Sequence, residues 1–209
     1  MKLYYSPFAC SLASHIACRE AGLDVELVRV ELATKMTERG GDLFEENAMG
    51  QVPTLVLDEG RVLTENVAVL SYLGDRMSGG EEDRYELVRW LSFVATELHK
   101  KVLAPIFAPT TPEPVKVHAR ASVDLALRVA DTRLADRETL LGSQFTTADA
   151  YLFWALTLMP HAGISLEPFP SLRAYHERHR ERPAVRAALA FEKKEREVPF
   201  APKGKRGVA

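Results

Sequence analysis

Cysteine is scarce in this chain: 209 residues contain two, Cys10 and Cys18. If both ride one helix they stand about 12 Å apart along its axis, too far for a disulfide. Neither belongs to a cluster with metal-ligand spacing. A disulfide framework and a metal centre are therefore not expected, and a reducing compartment fits. Long hydrophobic runs are missing too. The most apolar stretch, Tyr151 to Met159, falls far short of the roughly 20 residues needed to cross a bilayer. The opening Met1-Lys2-Leu3-Tyr4-Tyr5-Ser6-Pro7 lacks the apolar run of a signal peptide. A cytoplasmic protein with no membrane partner is expected. Charge of one sign is also absent: the formal net charge is -2, too weak a field to suggest a nucleic-acid partner. What remains is ordinary globular composition, 46% hydrophobic and 27% charged, with enough apolar material for a sizeable core.

The first part of the chain alternates strand and helix patterns. Lys2 to Tyr5 reads as a short strand, and Ser11 to Glu20 as a helix with Leu12 and Ile16 four apart and Gly22 as its stop. Val25 to Leu32 alternates apolar and charged residues, the period of a half-buried strand. Lys35 to Glu46 reads as an irregular loop with a short helix. Gln51 to Asp58 is a strand, turned at Glu59-Gly60 into Arg61 to Thr64. Glu65 to Met77 is a helix with Val67, Leu70 and Leu73 on one side. Two strands joined through a helix should lie parallel and the last two should form a hairpin, giving an α/β domain over residues 1–77. Ser78-Gly79-Gly80-Glu81-Glu82 reads as a linker. Residues 83–197 show no strand pattern and are expected to be all-α. The expected helices are Asp83 to Phe107, ended near Pro105 and Pro109, then Pro112 to Asp136, Thr147 to Pro160, Ser171 to Arg180 and Ala184 to Lys194. Residues 198–209 read as a flexible tail.

Five places stand out, four for possible chemistry and one for folding. Cys10 sits between a strand-turn and a helix, where helix-start N–H groups favour an anion; a reactive thiol and a small buried space-filler both fit that position. Mid-helix Cys18 reads as buried filler. Pro53 in Gln51-Val52-Pro53 is either an ordinary edge-strand proline or a cis proline that exposes Val52 backbone groups to an extended peptide. Thr64-Glu65-Asn66 opens a helix, as a simple N-cap or as a seat for a carboxylate, with Glu65 facing an ammonium. Thr146 and Asp149 have capping-box spacing, a folding feature with Phe145 as a candidate staple. His99, in Thr96-Glu97-Leu98-His99-Lys100, is either a solvated surface histidine or a hydrogen-bond donor to a thiolate.

Together the segments YYSPFACSLASHIACREAG, GQVPTLVLDEG, LTENVAVLSYL, ATELHKKV and FTTADAYLF, in this order, resemble bacterial beta-class glutathione S-transferases over about residues 1–190. The resemblance implies a thioredoxin-like N-terminal domain (βαβ-α-ββα) followed by an all-helical C-terminal domain, the glutathione transferase fold. It implies a cytoplasmic homodimer that conjugates glutathione to hydrophobic electrophiles in detoxification, with glutathione as co-substrate and no prosthetic group. Glutathione-dependent thiol-disulfide exchange through Cys10 is a second route in the same pocket. By this likeness the tripeptide's cysteinyl backbone pairs with Val52 beside Gln51 and Pro53, and its γ-glutamyl end sits at Glu65 and Asn66. Lys35 reaches the glycine end. Cys10 and His99 face the sulfur as the catalytic pair, and Ser92, Thr96, Glu97 and Leu98 lie around the tripeptide. The chain departs from the family in four ways: Phe8 replaces a usual glycine, Ser92 a usual asparagine, the segment around Ser78 to Glu82 is shorter, and the tail after Glu197 is extra.

Overall fold

Pro7 has no N–H to give to a ladder, so β1 is confined to Lys2–Tyr5. The computed structural model of the chain describes residues 1–77, 84–142 and 144–202. β2 (Glu26–Arg29) runs parallel to β1 with Leu3 opposite Leu27. β3 (Thr54–Val56) and β4 (Val62–Leu63) form an antiparallel hairpin, and the sheet order is β2-β1-β3-β4. The strand read from Val25 to Leu32 is thus cut short. Its partner β1 ends at Tyr5, and Val30 makes one further bond to the Tyr5 carbonyl (2.8 Å) before pairing with Thr37 in an isolated bridge. The short helix sought within residues 35–46 shrinks to a single 3₁₀ turn, Leu43–Glu45, capped by Asp42.

Two contact units divide the described chain: Met1–Arg76 together with Pro183–Ala209, and Met77–Arg182. The last helix, at the end of the expected all-α segment over residues 83–197, falls in the unit that holds the sheet. The expected linker at residues 78–82 lies outside the described residues, as do residues 203–209 of the expected tail.

In the first unit, α1 (Ser11–Glu20) is buried from Ser11 through Cys18. A helix covered on all sides needs small residues where its neighbours approach, and Ser11, Ala13, Ser14, Ala17 and Cys18 supply them. It packs on β1, on α2 (Asn66–Gly74) and on the last helix, which spans Pro183–Glu197. Leu12 and Ile16 are fully buried, each worth roughly 1.5–3 kcal/mol over an exposed position. The buried stripe of α2 is Val69, Leu70 and Leu73, with Val67 only half-buried. The last helix turns Val185, Ala188 and Glu192 inward. Arg29 on β2 donates to its terminal carbonyls, Glu195 at 2.6 Å and Val198 at 2.9 Å, which satisfies acceptors that a helix end leaves open.

The second unit is helical among its described residues. α3 (Arg84–Phe93) passes without a break into a π-helical run, Val94–Leu103, and then into α4 (Ala104–Phe107). The helix runs to Phe107, the end expected from the sequence, and passes through Pro105. Pro105 cannot donate to the carbonyl of Lys101, and the chain meets this by widening: Ala104 N–H reaches back five residues to His99. The expected helix from Pro112 to Asp136 is two, α5 (Glu113–Ala121) and α6 (Asp124–Arg133). At the break the Ser122 hydroxyl bonds back to the Ala119 carbonyl at 2.9 Å, competing with the backbone ladder. α7 (Thr147–Leu158) is buried from Thr147 to Leu156 and begins with the anticipated capping box between Thr146 and Asp149. α8 (Pro170–Arg180) has its first turn closed by Asp131 Oδ1, which accepts from Leu172 N–H at 2.9 Å. The Pro183–Glu197 helix of the first unit is α9.

Candidate functional site

Cys10 occupies the residue just before α1 and is half-buried. Its Sγ donates to the carbonyl of Val52 at 3.2 Å, a contact across 42 residues of chain. The amides of Leu12 and Ala13 are taken by the Ala9 and Cys10 carbonyls (2.9 and 3.2 Å), so those two are not available to a Cys10 anion. The Val52-Pro53 bond is cis. Val52 and Pro53 precede β3, just before its pair Tyr4 with Thr54, and lie outside the ladder to β4, which reaches only Leu55 and Val56. The turn before it is held by Asn47, whose Nδ2 donates to the Gln51 carbonyl (2.9 Å) and to Thr54 Oγ1 (3.0 Å) while its Oδ1 accepts from Met49 N–H. The Gln51 side chain itself is exposed.

Asn66 opens α2 and is buried. Its Nδ2 donates to the Cys10 carbonyl at 3.4 Å and its Oδ1 accepts from Ser14 Oγ at 3.3 Å, so its carboxamide ties the starts of α1 and α2 together. Glu65, the preceding residue, is exposed and has φ 65° and ψ 123°; it makes no cap hydrogen bond, and no side chain caps the first turn of α2. Lys35 is half-buried at φ 63°. Its backbone is held on both sides: its N–H donates to the Glu31 carbonyl at 2.8 Å and its carbonyl accepts from Leu43 N–H at 2.9 Å.

Phe8, Lys35 and Glu65 are the described non-glycine residues with positive φ, a region costing roughly 1–3 kcal/mol and persisting where surroundings hold it. For Phe8 the holding group is visible. Its N–H donates to Glu192 Oε2 at 2.7 Å, from a helix 184 residues away. The other oxygen of Glu192 lies 3.0 Å from His15 Nδ1. Arg19 Nε donates to His15 Nε2 at 2.8 Å. A guanidinium only donates, so Nε2 is the acceptor, and His15 takes the tautomer whose Nδ1–H is given to Glu192. Glu192 is fully buried, and burial pushes its carboxyl up against the opposing hydrogen bonds. The Phe8 ring also faces the Arg196 guanidinium, 5.7 Å from the ring centroid. Nothing local in the sequence marked Glu192 or Arg19; His15 was visible as a polar residue on an otherwise apolar stretch.

Cys18 is buried, and burial raises its thiol to about 12. Tyr4 bonds to Glu46 at 3.1 Å and is pushed up to about 12, chiefly by burial.

In the helical unit, Thr96 to His99 lie on the π-helical run, a form that recurs at functional sites. Thr96 is exposed and its hydroxyl donates to the Ser92 carbonyl at 3.0 Å. Glu97 pairs with Lys101 at 2.9 Å. Leu98 is fully buried, so its side chain serves the core of this unit. His99 is neither a solvated residue nor a loose one. Its Nδ1 lies 2.7 Å from the Tyr151 hydroxyl, and its ring meets Trp154 edge-on at 4.7 Å. Burial, then Lys100, lowers it to about 4, so the imidazole is neutral. Among the described residues no group of three or more His, Cys, Asp or Glu side chains is placed to hold a metal, and no helix is long and apolar enough to cross a membrane.

Family models match both parts of the chain: the glutathione S-transferase N-terminal domain over residues 5–76 and the C-terminal domain over residues 93–183. Glutathione S-transferase GstA of Escherichia coli O157:H7 is 43% identical over 199 residues, covering 92% of this chain and 98% of that protein. The structure of a sphingomonad glutathione S-transferase complexed with glutathione superposes with a TM-score of 0.86 at 44% identity, covering 92% of this chain and 99% of that one. The bacterial beta-class enzyme of Sphingomonas chungbukensis gives 0.86 at 43% identity, covering 92% and 98%.

Proposed function

This chain belongs to the glutathione S-transferase family, in its bacterial beta class, and is a glutathione transferase; on that premise we propose how its residues divide the work. Glutathione lies extended over the first unit and is joined through its sulfur to hydrophobic electrophiles. The observation that carries this reading is the meeting of the Cys10 thiol with the Val52 carbonyl, beside the uncapped first turn of α2. The cysteinyl backbone of glutathione pairs with Val52, next to Gln51 and Pro53. The γ-glutamyl carboxylate takes the open amides at the start of α2, a ready anion seat, and its ammonium meets Glu65. Asn66 holds that seat against α1 rather than gripping the ligand with its own amide. Lys35 serves the glycine carboxylate. In this reading Ser92, Thr96, Glu97 and Leu98 surround the tripeptide, and His99 gives a hydrogen bond to its sulfur. Hydrogen bonding to the sulfur anion raises the thiolate fraction at neutral pH, each unit of lowered thiol pKa being worth about 1.4 kcal/mol. The working form is a cytoplasmic homodimer engaged in detoxification.

Cys10 is not required for conjugation. Its own chemistry is exchange with glutathione disulfide: the Cys10 thiolate attacks one sulfur, the S–S bond breaks, and glutathione leaves as a thiolate that takes up a proton. The test measures glutathione binding by calorimetry, conjugation of an aromatic chloride, and the mass after incubation with glutathione disulfide, in wild type and Cys10→Ala. The expected result is a single glutathione adduct on Cys10, absent in the variant, with conjugation retained. Conjugation lost while binding survives would overturn the division of roles, and no glutathione binding by wild type would overturn the site.

A further inference from the structure

We propose that Tyr151 is a positioning residue for the transferase reaction: its hydroxyl donates to Nδ1 of His99 and so fixes Nε2–H as the group that faces the glutathione sulfur. The proposal rests on the reading above that His99 meets that sulfur. A neutral imidazole has one donor nitrogen and one acceptor nitrogen, and the bond made by one decides the role of the other. The distance from Nδ1 to the Tyr151 oxygen is 2.7 Å, well within hydrogen-bond range. Two arrangements share that distance, and acidity separates them. A phenol is the stronger acid and an imidazole nitrogen lone pair the stronger base, so the proton sits on Tyr151 and points at Nδ1. Nε2 is then the protonated nitrogen. Only that tautomer gives His99 a hydrogen to donate from its far side; the other would present a lone pair to an anionic sulfur and repel it.

The surroundings hold the ring in this pose. Tyr151 is fully buried and Trp154 nearly so. They stand three residues apart on α7, on one helix face. Both meet the His99 ring close to edge-on, with interplanar angles of 82° and 72°. Their rings block rotation of the imidazole, and burial keeps it neutral. A charged imidazolium would give Nδ1 a proton of its own and break the acceptor role that Tyr151 requires. The rigid ring and the phenol together deliver one oriented N–H.

The first measurement is the ¹⁵N shift pattern of His99 in uniformly labelled wild-type protein, which separates the two neutral tautomers without any mutation. Nε2–H is expected; Nδ1–H overturns the proposal outright. The second compares Tyr151→Phe with His99→Ala and with the double variant. Tyr151→Phe is expected to lower kcat by roughly three- to tenfold, the scale of one ordinary hydrogen bond, to leave KM for glutathione nearly unchanged, and to mix the His99 tautomers. In the double variant the loss should equal that of His99→Ala alone, because Tyr151 acts through His99. Unchanged kcat in Tyr151→Phe, beside a reduced kcat in His99→Ala, would sink the role of Tyr151 and leave that of His99 standing. Full activity in His99→Ala would refute the underlying role of His99, and with it the use made of Tyr151, whatever tautomer is observed.

Discussion

Phe8 offers a test in which glycine should outdo alanine. Its backbone is at φ 61°, where a side chain collides with the following carbonyl at a cost of about 1–2 kcal/mol and glycine does not. Phe8→Ala and Phe8→Gly both delete the ring, so both lose its contact with Arg196 and its partial burial. Those losses cancel when the two variants are compared with each other. What remains is the backbone. At an ordinary position alanine is favoured by about 0.5–1 kcal/mol, because glycine has more freedom to lose on folding. At φ 61° relief of the collision outweighs that loss, and the Phe8→Gly protein should be more stable than the Phe8→Ala protein by about 1 kcal/mol. In urea, with a slope near 2 kcal/mol per molar, this moves the midpoint by about 0.5 M; in a thermal scan it moves the midpoint by about 2–4 °C. Both variants are compared at one protein concentration, followed by far-ultraviolet circular dichroism. The bond from the residue-8 N–H to Glu192 is kept in both, so the comparison isolates strain. Equal midpoints, or a higher one for alanine, would refute the assignment of strain to this residue.

Removing the buried carboxylate of Glu192 orphans two donors, Phe8 N–H and His15 Nδ1–H, at about 1–3 kcal/mol each. Glu192→Ala should therefore lose about 3–5 kcal/mol in denaturant unfolding, and a loss under about 1 kcal/mol would mean the network is idle. A maleimide should label wild type once and Cys10→Ala not at all under native conditions, because Cys18 is buried with its thiol at about 12; a second fast label contradicts this. His99 and His176 are both lowered from 6.5 to about 4, first by burial. The unfolded chain then binds more protons than the folded one between pH 6.5 and 4, so stability falls as pH drops through that window, by roughly 3 kcal/mol per histidine. His176→Gln should flatten part of that slope, and an unchanged slope counts against the burial of its charge.

Local pattern was enough to locate most elements and the kind of site. The alternation around β2, the helix following Cys10, Pro53, and the Thr146–Asp149 cap are properties of neighbouring residues, and neighbours are what a sequence displays. The quoted segments also carried the family. Where reading failed, the deciding contact was distant or was a matter of backbone geometry. Val25 to Leu32 has a strand's period throughout, yet β2 stops where β1 stops, because a strand exists only opposite a partner. Ser122 looks harmless inside a helical pattern, and its hydroxyl helps end the helix there.

The same division runs through the site. The sequence by itself determined that a cysteine would precede a helix, that a cis-capable proline would precede a strand, and that Asn66 and His99 would open or ride helices. Only the tertiary structure decided what those residues touch. It brought the Cys10 thiol to the Val52 carbonyl, made Asn66 a tie between two helix starts, and set Glu192 under the Phe8 amide. It also set Tyr151, 52 positions along the chain, against His99. The physical reason is that helix and strand follow from steric and hydrophobic periods over a few residues. The partner of a buried polar group is chosen by packing, which joins residues that no spacing in the sequence connects.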